Sequence, residues 1–370
     1  MEPSPSGNLL GMSKLAAVLA IAAVIVVAIT GTAGAATEPQ MHFDKRMAAK
    51  SVCFTVTNPR GTPSVLYGRR YTDGSVSART PAIVLVHGIA SSTANWDFTP
   101  TWSTARALAS AGYVVYSYDR LGYAKSPYFD VPGDGYTLTT REHRRMLHQV
   151  IDAVKTGGYA TTSGADCTGA MQPGAMSNRT VVIAGHSAGG WIVAGYPGTY
   201  HDVAAMIQTD ITGSSAQGDG SEGSSTGGGF TPDPQHPDYF QFFQTRQNCE
   251  DFNVDAAGAV PSAVNVACTP PFLDSPYGEI ADLGAMYAEN DVAISQIGPG
   301  TPVLLTSGDH DTTAPPSAAR ADLAYYQAHC GCDVSQIILP ATGHLFQVHA
   351  SLAGWVKDVV SWLGARGLAA

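Results

Sequence analysis

Six short apolar runs, at 82–88, 113–119, 180–185, 202–210, 302–308 and 335–340, punctuate this chain. Helix-length stretches separate most of them: TWSTARALASAG, TTREHRRMLHQVIDAVKTGG, SAGGWIVAGY and PSAARADLAYYQAH, with SLAGWVKDVVSWLGA closing the chain. Strands alternating with helices at this spacing predict an α/β fold, a mostly parallel sheet covered by helices on both faces. Two earlier runs, SVCFTV and SVLYGRRY, flank the turn-forming NPRGTP and predict an antiparallel edge. Reactive groups in such sheets gather where the strands end. Polar residues stand at those places: His87, Ser187, Asp210, Asp309, Asp311 and His344.

Between the fourth and fifth runs the alternation stops. Residues 212–300 open on the Gly/Ser tract GSSAQGDGSEGSSTGGG, then pass through the aromatic PDYFQFFQTRQNCEDF, expected to be helical, and YGEIADLGAMYAEN. This segment holds twelve Asp and Glu against the single base Arg246, so it accounts for the whole net charge of −10. The chain therefore reads as a core in two parts, 36–211 and 301–370, with 212–300 inserted as a cap over the carboxyl edge of the sheet. A surface excursion or an unrelated second domain is the alternative for that segment. The acidic balance argues against a nucleic-acid partner, which requires a basic surface.

Lys14 precedes the unbroken apolar run Leu15–Ile29, and Ala33-Gly34-Ala35 supplies the small residues of a cleavage site. Residues 1–35 are expected to be a signal peptide cut after Ala35, giving a secreted protein with no stable membrane span. The run is shorter than the ~18 apolar residues of a spanning helix. An uncleaved signal anchor is the rival. Six cysteines follow: Cys53, Cys167, Cys249, Cys268, Cys330 and Cys332. An even count in an oxidising compartment points to disulfides. Cys249 and Cys268 share the insertion and are expected to pair. Cys330 and Cys332 are so close that separate partners are expected for them. No Cys-x-x-Cys or histidine cluster suggests a metal site, and no phosphate or dinucleotide loop suggests a cofactor, so neither is expected.

VVIAGHSAGGWIV, residues 181–193, sets a His-Ser pair between two apolar stretches. Glycines at 185 and 189 permit a sharp strand-to-helix turn that lifts the Ser187 hydroxyl above the sheet. The helix behind it points backbone N–H groups at any oxyanion formed there. A serine nucleophile needs a base, and the base an orienting carboxylate. ILPATGHLFQVH offers His344 as the base; Asp309, Asp311 and Asp210 are the carboxylates to choose from.

Over about residues 80–210 and 300–365 the chain resembles the α/β-hydrolase fold family, in its serine-esterase and lipase branch. LVHG resembles the family's oxyanion loop and YDRLGYAKS its Asp-x-x-Gly-x-Gly-x-Ser segment, with Ala124 in place of the second glycine. GHSAGG resembles the nucleophile elbow, SGDHD the acid loop and TGH the histidine loop. The resemblance implies Ser187 as nucleophile, His344 as general base and Asp311 as orienting acid, with Asp210 and Asp309 as rivals. It implies the backbone N–H groups of Ile89 and Ala188 as oxyanion donors. His87 is expected to brace the oxyanion loop, His186 and His349 to be structural or substrate-facing, and Trp191 to pack under the nucleophile helix.

The implied activity is hydrolysis of carboxylic esters through an acyl-enzyme. The expected substrate is a small-molecule or lipid-like ester, uncharged and fairly apolar. Tyr239, Phe240, Phe242 and Phe243 would line its pocket if the insertion faces the site, and otherwise only anchor the insertion to the core. A peptidase or amidase with the same residues is the alternative; a non-catalytic binding protein on the same fold is the third reading.

Overall fold

A long hairpin provides the first two strands. β1 (Met47–Thr57) and β2 (Pro63–Asp73) pair antiparallel across a turn in which Asn58 Oδ1 accepts from the N–H groups of Arg60 and Thr62. Alternation follows: β3 (Ala82–Val86), α1 (Thr104–Ser110), β4 (Val114–Tyr118) and α2 (Thr140–Thr156). Two short strands, β5 (Ala160–Thr162) and β6 (Met171–Pro173), precede β7 (Val181–His186), α3 (Ala188–Ala194), α4 (Tyr196–Tyr200) and β8 (Ala205–Thr209). The acidic segment contributes β9 (Thr231–Pro232), β10 (Tyr239–Gln241), α5 (Arg246–Asn253), α6 (Pro261–Ala267), β11 (Asp274–Pro276) and α7 (Leu283–Ser295). β12 (Val303–Gly308), α8 (Pro316–His329), β13 (Val334–Leu339) and α9 (Leu352–Gly364) complete the chain. This computed structural model describes residues 38–43, 47–74, 76–128, 131–174, 176–216, 229–281 and 283–370. The expected signal peptide at 1–35 and most of the Gly/Ser tract lie outside the described residues.

Ten strands form one sheet in the order β13-β12-β8-β7-β3-β4-β2-β1-β5-β6. Every pairing from β13 to β4 is parallel, and the remaining four strands continue the sheet antiparallel. Pleating sends alternate side chains to opposite faces. Val84 and Val86 of β3 join Met146 and Val150 of α2 on one face, while Ile83 and Leu85 join Leu108 of α1 and Trp355 of α9 on the other. Each such aliphatic side chain, fully buried, stabilises the fold by about 1.5–3 kcal/mol. The parallel strands all end at one edge of the sheet, so the polar residues after β3, β7, β8, β12 and β13 share that edge.

Two expectations need correction. The stretch PDYFQFFQTRQNCEDF is helical only from Arg246. Tyr239–Gln241 instead pairs with β9 and β11 in a three-stranded sheet, and Thr245 starts α5 by accepting from the Asn248 N–H. The second concerns cysteines. Cys53 is bonded to Cys167 and Cys249 to Cys268, but Cys330 and Cys332 pair with each other instead of reaching separate partners. α8 ends at Cys330, and the chain reverses at Gly331, whose N–H donates to Ile297 O; that reversal sets the two Cα atoms 5.2 Å apart. No helix among the described residues is long and apolar enough to cross a membrane.

Candidate active site

β7 and α3 meet at Ser187 with almost no intervening chain, which forces Ser187 to φ 54°, ψ −124°. Only glycine fits on either side. A Cβ on Gly185 would run into the Gly189 carbonyl, and one on Gly189 into the Val86 carbonyl. The Ser187 N–H donates to Thr209 O on the neighbouring strand (3.0 Å), fixing the turn to the sheet.

The structure brings Ser187, His344 and Asp311 together. Ser187 Oγ lies 2.9 Å from His344 Nε2, and His344 Nδ1 lies 3.0 Å from Asp311 Oδ1. Asp311 Oδ1 also accepts from the N–H groups of Thr313 (2.7 Å) and Ala314 (3.2 Å), so its orientation is fixed before it meets the ring. The rival carboxylates are held elsewhere. Asp309 Oδ1 accepts from the Thr342 N–H and Asp210 Oδ1 from the Gly308 N–H. Burial, and then the nearby Asp311, push the Asp210 carboxyl well above the usual range. His349 secures the histidine loop: its Nε2 accepts from the N–H groups of Gly343 (3.2 Å) and Asp255 (2.9 Å), and its Nδ1 donates to Leu345 O.

After β3 the chain passes directly over the elbow; a Cβ on Gly88 would sit 2.9 Å from Ser187 Cβ. Among the described residues the N–H groups of Ile89 and Ala188 find no acceptor, and both residues adjoin Ser187. His87 braces this loop, its Nδ1 donating to Gly88 O (2.8 Å) and its Nε2 accepting from the Arg120 N–H (3.0 Å). Burial, and then the Arg120 guanidinium, push His87 well below the usual imidazole range, which keeps it neutral. His186 is also neutral. Burial, and then His344, lower it to about 3, and its Nε2 donates to His344 O (2.9 Å).

A cavity of about 370 Å³ opens at Ser187. Phe242 and Phe243 line it as expected for the insertion's aromatics; Tyr239 and Phe240 do not. Tyr239 packs beneath, against Tyr128 (5.0 Å) and over Gly122, while Phe240 is enclosed by Phe230, Phe242 and Tyr277. Both belong to β10, whose pairing on either side holds their side chains inside the insertion and its seam with the core. Phe98, Phe252, Ile211, Tyr287 and Asn95 line the cavity without having been singled out in the sequence, and Trp191 reaches it as well as packing behind the elbow. Phe252 sits edge-on to His344, with ring centroids 4.8 Å apart. Cys249, Phe252 and Asn253 form the buried face of α5, but nothing local in the sequence marks Phe252 as a neighbour of His344. No Asp, Glu, Lys or Arg among the described residues lines the cavity.

Residues 83–353 match the sequence profile described as the alpha/beta hydrolase family. No curated protein sequence matches. Several solved structures share the fold. A monoacylglycerol lipase from Paleococcus ferrophilus is 17% identical, with TM-score 0.54 over 81% of this chain and 99% of that one. A metagenome-derived lipolytic enzyme is 12% identical, with TM-score 0.51 over 78% and 95%. A 2-hydroxy-6-oxo-6-phenylhexa-2,4-dienoate hydrolase from Rhodococcus sp. is 14% identical, with TM-score 0.50 over 86% and 99%.

Proposed function

The chain belongs to the alpha/beta hydrolase family, and from that premise we propose that it is a secreted serine esterase acting on uncharged, fairly apolar carboxylic esters. The observation that carries this reading is the run of contacts Ser187 Oγ–His344 Nε2–His344 Nδ1–Asp311 Oδ1, at 2.9 and 3.0 Å, opening on an uncharged aromatic cavity. Ser187 Oγ attacks the ester carbonyl carbon while His344 Nε2 takes its proton. The oxyanion accepts from the N–H groups of Ile89 and Ala188, and Asp311 supports the imidazolium. Collapse expels the alcohol, which receives the proton from His344 and leaves an acyl group on Ser187. Water, deprotonated by His344, then releases the acid. The insertion acts as a cap, contributing Phe242, Phe243 and Phe252 to the substrate's surroundings. An aromatic, amide and hydroxyl lining suits a neutral ester better than the ammonium group of a peptide's amino terminus.

The test is labelling with a fluorophosphonate, alongside turnover of a neutral alkyl ester and its matching anilide. The parent is expected to label and to prefer the ester. Ser187→Ala is expected to abolish labelling and turnover while its circular dichroism stays that of the parent. Ester activity within tenfold of the parent in that variant would remove Ser187 from the role. The apolar run Leu15–Ile29 before Ala33-Gly34-Ala35 and the three disulfides support secretion; an exported form beginning at Ala36 is the expected product.

A further inference from the structure

The insertion reaches the loop Gly88–Ala90 by two routes, one direct and one through Arg120 of the core. On one side the Ala90 N–H donates to Ser275 Oγ of β11 (2.9 Å), with Ala90 itself at φ 52°. On the other, Arg120 Nη2 donates to Gly88 O (3.0 Å), the carbonyl of the peptide whose N–H belongs to Ile89. Arg120 does not stand alone. Its Nη1 meets Glu279 Oε1 at 2.5 Å, with both side chains fully buried. Tyr123 Oη donates to that same oxygen (2.8 Å), His143 Nε2 lies 3.0 Å from it, and the Arg120 guanidinium sits 4.4 Å over the Tyr123 ring. Burial alone would raise Glu279; Arg120 and then His143 outweigh it and hold the carboxyl at about 2. Glu279 follows β11 by three residues, so both grips come from one short piece of the insertion.

We propose that Ser275 and Glu279 are positioning residues for the reaction. Together they fix the Gly88–Ile89 peptide so that the Ile89 N–H faces the oxyanion above Ser187. Fixing matters because an oxyanion donor works only when aimed in advance at the place where charge develops. A donor free to rotate loses that preorganisation, with no change in how the ground-state ester binds. The guanidinium on Gly88 O also polarises the peptide, making its N–H a stronger donor. Without Glu279, Arg120 would be a buried cation with only neutral partners, and its grip on Gly88 O would loosen. The insertion thereby shapes turnover as well as access. This rests on Ser187 being the nucleophile.

The test compares the parent with Ser275→Ala and Glu279→Gln. Three probes are used: a neutral alkyl ester; an alkyl trifluoromethyl ketone, which Ser187 converts to a tetrahedral oxyanion adduct; and the corresponding secondary alcohol, which binds without reacting. In each variant kcat is expected to fall roughly tenfold or more, less than the 10²–10³ that follows outright loss of a donor. KM and inhibition by the alcohol stay within about twofold, while ketone affinity falls in parallel with kcat/KM. Ser275→Ala removes one hydroxyl and no charge, so it carries the test even where Glu279→Gln unfolds. Variants that keep parental ketone affinity, or that lose ketone and alcohol affinity alike, overturn the proposal. A parent that forms no Ser187-dependent adduct overturns the esterase reading itself, whereas a parental adduct with undiminished variants overturns the positioning role alone.

Discussion

At the scale of single residues, three carboxylates stood after neighbouring strands and the sequence alone could not separate them by chemistry. Family resemblance favoured Asp311 over Asp210 and Asp309. What distinguishes them physically is where their oxygens are already engaged. Asp311 Oδ1 meets His344 Nδ1 as well as the Thr313 and Ala314 N–H groups, whereas the hydrogen-bonded oxygens of Asp210 and Asp309 go to the Gly308 and Thr342 N–H groups and not to His344. Asp311→Asn is therefore expected to lower kcat by about 10⁴, because the imidazole loses its correct tautomer. Asp309→Asn and Asp210→Asn, which keep the oxygen that accepts from the backbone, are expected to cost far less. Steady-state ester kinetics on the three variants decide it; a crippled Asp210→Asn would move the orienting acid to the end of β8. Ser187 was legible from its setting between strand-like and helix-like runs. Phe252 was not, because its value depends on contact with a histidine 92 positions away, which no local pattern carries.

At the scale of elements, the parallel strands were legible because each is a short, predominantly apolar run, as strands covered by helices on both faces tend to be. β10 was not. Aromatics suit a strand and a helix alike over three or four residues, and only pairing with β9 and β11 decides between them. That same ambiguity misplaced Tyr239 and Phe240. α5 has eight residues, too few to be stable in isolation, so its position rests on what fastens it. Cys249 binds it to Cys268 at the end of α6, and Asn253 O accepts from the Leu345 N–H (3.0 Å), beside His344. The crosslink spans 19 positions, for which the chain-entropy account gives about 3 kcal/mol. Mild reduction, or Cys249→Ala with Cys268→Ala, is expected to raise KM by disturbing Phe252 before the core unfolds. Ester kinetics recorded beside near-ultraviolet circular dichroism test this; a KM that changes only as the tertiary signal collapses would contradict it.

At the scale of the whole molecule, charge is partitioned. The acidic segment between β8 and β12 carries the net negative charge, and the cavity beneath it is free of charged side chains among the described residues. An anionic ester is expected to be repelled by that net charge before it reaches Ser187. Esters bearing a distal carboxylate are expected to show lower kcat/KM than neutral esters of equal length, with the gap narrowing as salt screens the field. A gap unchanged between low and high ionic strength would locate discrimination in the pocket instead. The route of the segment was not legible, since it depends on non-local pairing. Ile211, just after β8, and Leu283, at the start of α7, pack in one cluster with Trp191 and Met286. The stretch between Ile211 and Leu283 is therefore expected to act as a cassette, open to exchange for a loop of different shape while the ten-stranded sheet stays as it is. The exchange is constrained wherever the segment fastens to the core: Ser275 to the Ala90 N–H, Asn253 O to the Leu345 N–H, the Asp255 N–H to His349, and Glu279 to Arg120. Arg120 is fully buried, and any replacement must bring a carboxylate to it, or Arg120 must change with the cassette.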